Sequence, residues 1–259
     1  MIKMIASDLD GTLLHDYQQE VPKEILNEIT RLHDKGMIFV AASGRQYANI
    51  RRLFSPLGFD IPYIAENGSL CVYREEVLST GRIPDATIHC ILDGLIEYRE
   101  RFHTGHCILS LKDTYYTDSE DPQFLDYMLN TMRNHITYAP NLYDLRETFL
   151  KAAICDFNGT RELEPFFRER VGDKIRVATS AAHWIDFIAP DANKGSALAV
   201  LMKKFGIRRE ECICFGDQQN DLEMLKMAGT SYAMKTGVPE VTGYADHVID
   251  SVLPILKTL

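Results

Sequence analysis

The apolar run Met4-Ile5-Ala6-Ser7 empties directly into Asp8-Leu9-Asp10-Gly11-Thr12-Leu13-Leu14. This order reads as a buried parallel strand with acidic groups and a glycine turn just past its carboxyl end. In open α/β sheets that is the crevice where ligands bind. Alternate side chains of an extended segment share a face, so Asp8 and Asp10 are expected to converge on one small volume. Two carboxylates that close repel unless a cation or a shared proton offsets them. The run therefore implies a metal, an acid/base pair, or both. It does not fit an EF-hand calcium loop, whose glycine stands sixth and whose last ligand is a Glu at the twelfth place.

The flanking pattern fits an α/β fold. Pro22 suits a first helical turn, Ile25, Ile29 and Leu32 follow at helical spacing, and Gly36 ends that helix. Met37–Ala42 is a short β-rich apolar run. Tyr47, Ile50, Phe54 and Leu57 form a second helical stripe ending near Gly58, and Ile61–Ala65 reads as a third strand. A βαβαβ rhythm predicts a Rossmann-like, doubly wound parallel sheet.

Past Gly81 the rhythm changes. A helix is expected over Asp85–Phe102, extended segments over Cys107–Lys112 and Asp113–Asp118, and a helix over Phe124–His135. A strand at Leu150–Phe157, a helix at Glu162–Val171 and a hairpin of Ile175–Ala178 with His183–Ile188 complete an α+β insert. After Pro190 the first rhythm returns, with helix Lys194–Phe205, strand Glu211–Phe215, helix Asp221–Ala228 and short strands Ser231–Met234 and His247–Ile249. The expected organisation is a core of residues 1–82 plus 188–259 around an inserted domain, 83–187.

Composition narrows the function classes. The net charge of −9 argues against general nucleic-acid binding, which needs a basic face. No apolar run approaches the roughly eighteen residues of a membrane span, and no basic-then-apolar leader is evident. The six cysteines show no C-x-x-C or zinc-site spacing, so reduced thiols and a cytoplasmic location are expected.

Three further strand ends carry polar groups. Ala41-Ala42 runs into Ser43-Gly44-Arg45, a small hydroxyl and a glycine at a helix start, where backbone N–H groups suit a phosphate. Lys194 opens a helix, where a cation opposes the helix dipole unless an anion lies nearby. Cys212-Ile213-Cys214-Phe215 delivers Gly216-Asp217-Gln218-Gln219-Asn220-Asp221. Each alone could be a turn, a cap or a solvated lysine. Together they offer carboxylates suited to Mg²⁺, one lysine and one hydroxyl suited to a phosphoryl group, and an Asp able to form an aspartyl-phosphate.

The strings Asp8-Leu9-Asp10-Gly11-Thr12, Ser43-Gly44-Arg45, Lys194-Gly195 and Gly216-Asp217-x-x-Asn220-Asp221 resemble the four motifs of the haloacid dehalogenase superfamily. The insert and the Glu66-Asn67-Gly68 turn before it resemble the Cof-type branch of sugar-phosphate phosphatases. The resemblance implies a Mg²⁺-dependent phosphatase of a small phosphorylated metabolite. Asp8 would be nucleophile and metal ligand. Asp10 would be acid and base, with its backbone carbonyl on the metal. Leu9, Ser43 and Gly44 would hold phosphoryl oxygens, and Lys194 would offset charge between Asp8 and the phosphate. Asp217 would complete the metal site and Asn220 would touch the phosphate. Asp221 would serve the metal through water or position Lys194. The insert would act as a cap that reads the leaving group.

The chain departs from the family at Met234-Lys235-Thr236-Gly237, where members often carry Met-Gly-Asn-Ala, and lacks the usual Gly-Val before its last helix. A phosphotransferase or mutase using the same intermediate, and a non-catalytic phosphometabolite sensor, are the alternative readings. His103, His106 and Cys107 read as a turn, Trp184 as packing, Tyr115 and Tyr116 as strand residues, and Arg45 as an exposed helix-start arginine.

Overall fold

The computed structural model describes residues 1–15 and 18–259. The chain begins with β1 (Met4–Asp8), α1 (Lys23–Asp34), β2 (Ile38–Ala42), α2 (Tyr47–Phe54), β3 (Tyr63–Ala65), β4 (Leu70–Tyr73) and β5 (Glu76–Thr80). It continues through α3 (Asp85–Phe102), β6 (His106–Ser110), β7 (Tyr115–Thr117), α4 (Pro122–Asp126), β8 (Ile136–Tyr138), β9 (Lys151–Cys155), α5 (Thr160–Val171), β10 (Arg176–Ala181) and β11 (Trp184–Ile188). It closes with α6 (Lys194–Phe205), β12 (Cys212–Gly216), α7 (Leu222–Met227), β13 (Thr230–Met234), α8 (Pro239–Thr242), β14 (His247–Ile249) and α9 (Leu253–Thr258). Two units result, one of residues 1–80 and 192–259 and the other of Gly81–Asp191.

The first unit carries a sheet of order β14-β13-β12-β1-β2-β3-β4-β5. From β14 to β3 the neighbours run parallel. Because β1 lies between β2 and β12, the winding reverses there. That switch point opens a crevice at the strands' carboxyl ends. Every residue of β1 and β12 is buried, as expected of strands covered on both faces. Met4, Ala6, Val40, Cys212 and Cys214 pack against Leu198 and Leu201 of α6 and Leu225 of α7.

The β4–β5 hairpin has no counterpart in the sequence expectation. Its turn residues Arg74 and Glu75 both take left-handed φ, 49° and 61°. That is the geometry of a two-residue hairpin turn usually marked by Asn-Gly, and Arg-Glu gives no such signal.

The second unit holds a sheet of order β10-β11-β9-β6-β7-β8. One face packs on α3 and α5 through residues such as Ile91, Leu95, Leu109, Ile154, Phe167 and Phe187. The other gathers Ile108, Tyr115, Phe124, Met128, Ala153 and Trp184. Tyr115 and Tyr116 thus point to opposite faces of β7, and Trp184 is core. The helix expected over Phe124–His135 is helical only as far as Thr131, as α4 and then a π-helical turn, Tyr127–Thr131; the short strand β8 follows. Ile188 pairs with Lys151 and Arg176, so β11 belongs wholly to this sheet. The chain re-enters the first unit at Ala192, whereas the return of the strand–helix rhythm places that boundary at residue 188.

All six cysteines are free. Among the described residues no helix is long and apolar enough to cross a membrane. His106 does not join a metal cluster among the described residues. Its Nδ1 lies 2.9 Å from Ser119 Oγ, and its ring stacks on Phe124.

Candidate active site

Asp8 is the last residue of β1, and the chain turns sharply behind it. The Leu9 carbonyl accepts from the amides of Thr12, Leu13 and Leu14 at 3.2, 2.9 and 2.7 Å. Gly11 adopts φ +88°, and a Cβ there would land on the Asp217 carboxylate. Thr12 Oγ1 donates to Asp217 Oδ1 at 2.9 Å, tying the end of β12 to the turn after β1. Gly11→Ala combines left-handed strain of about 1–2 kcal/mol with displacement of Asp217. Its expected outcome is a lower urea midpoint and weaker Mg²⁺-induced stabilisation, read together in one denaturation series with and without the ion.

Lys194 opens α6, whose N-cap Asn193 side chain accepts from the Ser196 amide at 2.8 Å. The lysine is fully buried. Its Nζ donates to Asp8 Oδ1 at 2.5 Å and to Asp221 Oδ1 at 2.6 Å. The other Asp221 oxygen accepts the amides of Asp217 and Gln218 at 2.9 and 3.0 Å. Asp221 is therefore committed to the lysine and to the backbone that carries Asp217. A solvated surface lysine, the simplest sequence reading of Lys194, does not occur.

Burial pushes the Asp8 carboxyl well above its ordinary range; Lys194 opposes this, while Asp221, Asp217 and Asp10 add to it. Asp217 is raised by burial and then by Asp221. Burial alone would lower the Lys194 ammonium, but Asp221 and Asp8 outweigh it and hold it above its usual value. One cation thus serves several carboxylates. Oxygens of Asp8, Asp217 and Asp221 lie within 4.8 Å of one another, and buried Asp8 Oδ2 has no hydrogen-bond partner among the described residues. That donor set, all oxygen and short of positive charge, fits a hard divalent cation such as Mg²⁺.

The loop after β2 faces the same crevice. Ser43 O accepts from Asn67 N at 3.1 Å, and Ser43 Oγ accepts from Arg45 N at 3.1 Å. A Cβ on Gly44 would stand 2.7 Å from Asn67 Oδ1, so only glycine leaves room for that side chain. Asn67, at φ 57°, accepts in turn from Asn220 Nδ2 at 2.9 Å. A side-chain amide has two N–H groups, so Asn220 keeps one donor beyond this bond.

Asp10 does not share the Asp8 cluster. The strand ends at Asp8, so two-residue periodicity lapses where the expectation relied on it. The Asp10 side chain is 51% exposed and is gripped by Arg45, whose side chain is 6% exposed. Arg45 Nε and Nη2 donate to the two Asp10 oxygens at 2.8 and 2.6 Å. The expected exposed arginine is thus a buried clamp. Sequence reasoning also gave no role to Thr12 or Asn67. Asn67's tolerance of left-handed backbone is the signal that sets it apart.

Val238 N donates to Asp217 O at 2.9 Å, and Gly237 packs on the Asp217 backbone. The Lys235 side chain lies 3.4 Å from exposed Asp250.

The chain is also similar to known proteins. The chain is 28% identical over 250 residues to the 5-amino-6-(5-phospho-D-ribitylamino)uracil phosphatase YbjI of Escherichia coli, covering 95% of this chain and 90% of that one. It is 26% identical over 255 residues to the HMP-PP phosphatase of Cronobacter sakazakii, covering 96% and 89%. The crystal structure of TM0651 from Thermotoga maritima superposes with a TM-score of 0.84 at 26% identity, over 100% of this chain and 98% of that one. With residues 5–253 matching that family's sequence pattern, the chain belongs to the haloacid dehalogenase-like hydrolases.

Proposed function

We propose that this protein is a Mg²⁺-dependent phosphatase that hydrolyses a small phosphorylated metabolite, such as a sugar phosphate or related phosphomonoester, through an aspartyl-phosphate on Asp8. The observation that carries this reading is Asp8 itself. One of its oxygens is anchored by buried Lys194, and the other is buried without a hydrogen-bond partner among the described residues. A carboxylate held in one orientation beside a cation is prepared to attack phosphorus rather than to stabilise the fold.

Asp8, Asp217 and, less directly, Asp221 and the Asp10 carbonyl would hold Mg²⁺. When bound, the ion neutralises charge on the phosphoryl oxygens and orients them. Asp8 forms a bond to phosphorus as the ester P–O bond breaks, and Asp10 gives the leaving oxygen its proton. Asp10 then takes a proton from water, which attacks phosphorus and releases inorganic phosphate and the free Asp8 carboxylate. Lys194 balances charge through both steps. Leu9, Ser43, Gly44 and Asn220 hold the phosphoryl oxygens through backbone N–H, hydroxyl and amide donors. On this reading residues 1–80 and 192–259 form the catalytic core, and Gly81–Asp191 sets substrate choice. The relatives' names, a pyrimidine sugar-alcohol phosphate phosphatase and an HMP-PP phosphatase, support a small-metabolite substrate. The free cysteines support a cytoplasmic setting.

The test is phosphate release from p-nitrophenyl phosphate and a panel of sugar phosphates, with Mg²⁺ and with excess EDTA. Release that requires Mg²⁺ is expected. A folded protein that binds these compounds without turnover would indicate a sensor, and transfer to an added alcohol in place of water a phosphotransferase.

A further inference from the structure

We propose that Arg45 is a positioning residue for proton transfer, fixing the Asp10 carboxyl in the orientation from which it serves the leaving oxygen. The inference rests on the reading of Asp10 as acid and base. It starts from an inversion of exposure: in an ordinary surface ion pair both partners are wet, whereas here the arginine is buried and its acid half-exposed. Wet pairs contribute little. A forked guanidinium–carboxylate contact instead fixes both direction and rotation of the carboxylate. Asp10 sits in an open turn where it would otherwise sample several rotamers.

The clamp is itself braced. Arg45 Nη1 lies 3.4 Å from both Gln19 Oε1 and Asn49 Oδ1. Gln19 is held in turn by Arg52, whose Nη1 and Nη2 donate to its backbone and side-chain oxygens at 3.1 Å. The Arg45 amide meanwhile donates to Ser43 Oγ, so one short segment carries both the phosphate-facing hydroxyl and the clamp on the acid. Misplacing a catalytic group by about 1 Å can cost on the order of 10²-fold, which is the scale such a brace protects.

Leaving-group dependence separates this role from a phosphate contact or from plain packing. p-Nitrophenolate departs without a proton, whereas phenolate, more basic, depends more on an acid. Wild type, Arg45→Met and Arg45→Lys are compared by kcat/KM on p-nitrophenyl phosphate and on phenyl phosphate, two substrates of nearly the same shape. In both variants the phenyl-to-nitrophenyl ratio is expected to fall about tenfold or more, part of the roughly 10²–10⁴-fold that a general acid supplies. Arg45→Lys keeps the charge but loses the fork, so it should not restore the ratio. Asp10 is half-exposed and stays hydrated without its partner, and turnover of the nitrophenyl ester reports that each variant is folded. Equal losses on both substrates, or a gain on phenyl phosphate, would overturn the assignment while leaving the phosphatase reading intact. Absence of turnover by wild type on both would instead remove the reading on which it rests.

Discussion

Asp8→Asn is expected to lower kcat by at least about 10⁴-fold, the scale seen when a covalent nucleophile is removed, while leaving a folded protein. Asparagine keeps the shape and one oxygen for Lys194, which also retains Asp221. Burial and the neighbouring Asp221, Asp217 and Asp10 all disfavour charge on the Asp8 carboxyl, with Lys194 opposing them, so a neutral side chain relieves repulsion as well as weakening an ion pair. The melting temperature without Mg²⁺ should therefore change by only a few degrees, the equivalent of about 1 kcal/mol. The rise produced by Mg²⁺ should shrink, because the partnerless oxygen becomes an amide. Single-turnover phosphate release and melting curves with and without Mg²⁺ check both halves. Retention of even about 1% of kcat would be incompatible with Asp8 as the nucleophile, given the size of that loss.

Lys194→Met should strike stability instead. It strands Asp8 and Asp221 with no cation among buried carboxylates, a change that typically costs about 3–5 kcal/mol. Activity should fall by about 10²–10³-fold, as when one preorganised electrostatic partner is lost. The sharper expectation concerns the metal: with a more negative cluster, Mg²⁺ should raise the variant's melting temperature more than that of wild type. Urea denaturation without metal measures the first effect, and thermal shifts over a Mg²⁺ titration measure the last. A smaller shift in the variant would mean that the carboxylates do not act as one cation site.

Much of this centre is legible in the order of residues alone. Apolar strands that run into Asp8, Ser43 and Asp217 point to polar groups gathered at one end of a parallel sheet, and β1 does pair with both β2 and β12; helix-opening Lys194 is unfavourable without a nearby anion, which Asp8 and Asp221 supply. Side-chain direction beyond the last strand residue is less legible. Period-two alternation places Asp10 beside Asp8, yet the glycine turn swings it onto Arg45. The β4–β5 turn and the π-helical turn after α4 escape for a related reason. Both depend on backbone states that tertiary packing stabilises and local residue types do not announce. Asn67 and Arg45 gain meaning only through the close approach of Gly44 to Asn67 and the fork on Asp10.

The pairing of β1 with both β2 and β12 has a consequence for biosynthesis. Thr12 meets Asp217 across 205 residues of sequence, and Asp8 meets Lys194 across 186. During synthesis β1 can join β2 early, but its other edge must wait for β12 to leave the ribosome. Until then it presents unpaired N–H and C=O groups from the middle of the future sheet, the kind of edge that recruits foreign strands. Chaperone dependence should therefore concentrate in that interval, and nascent chains that stop short of Asp221 should lack activity altogether rather than carry a fraction of it.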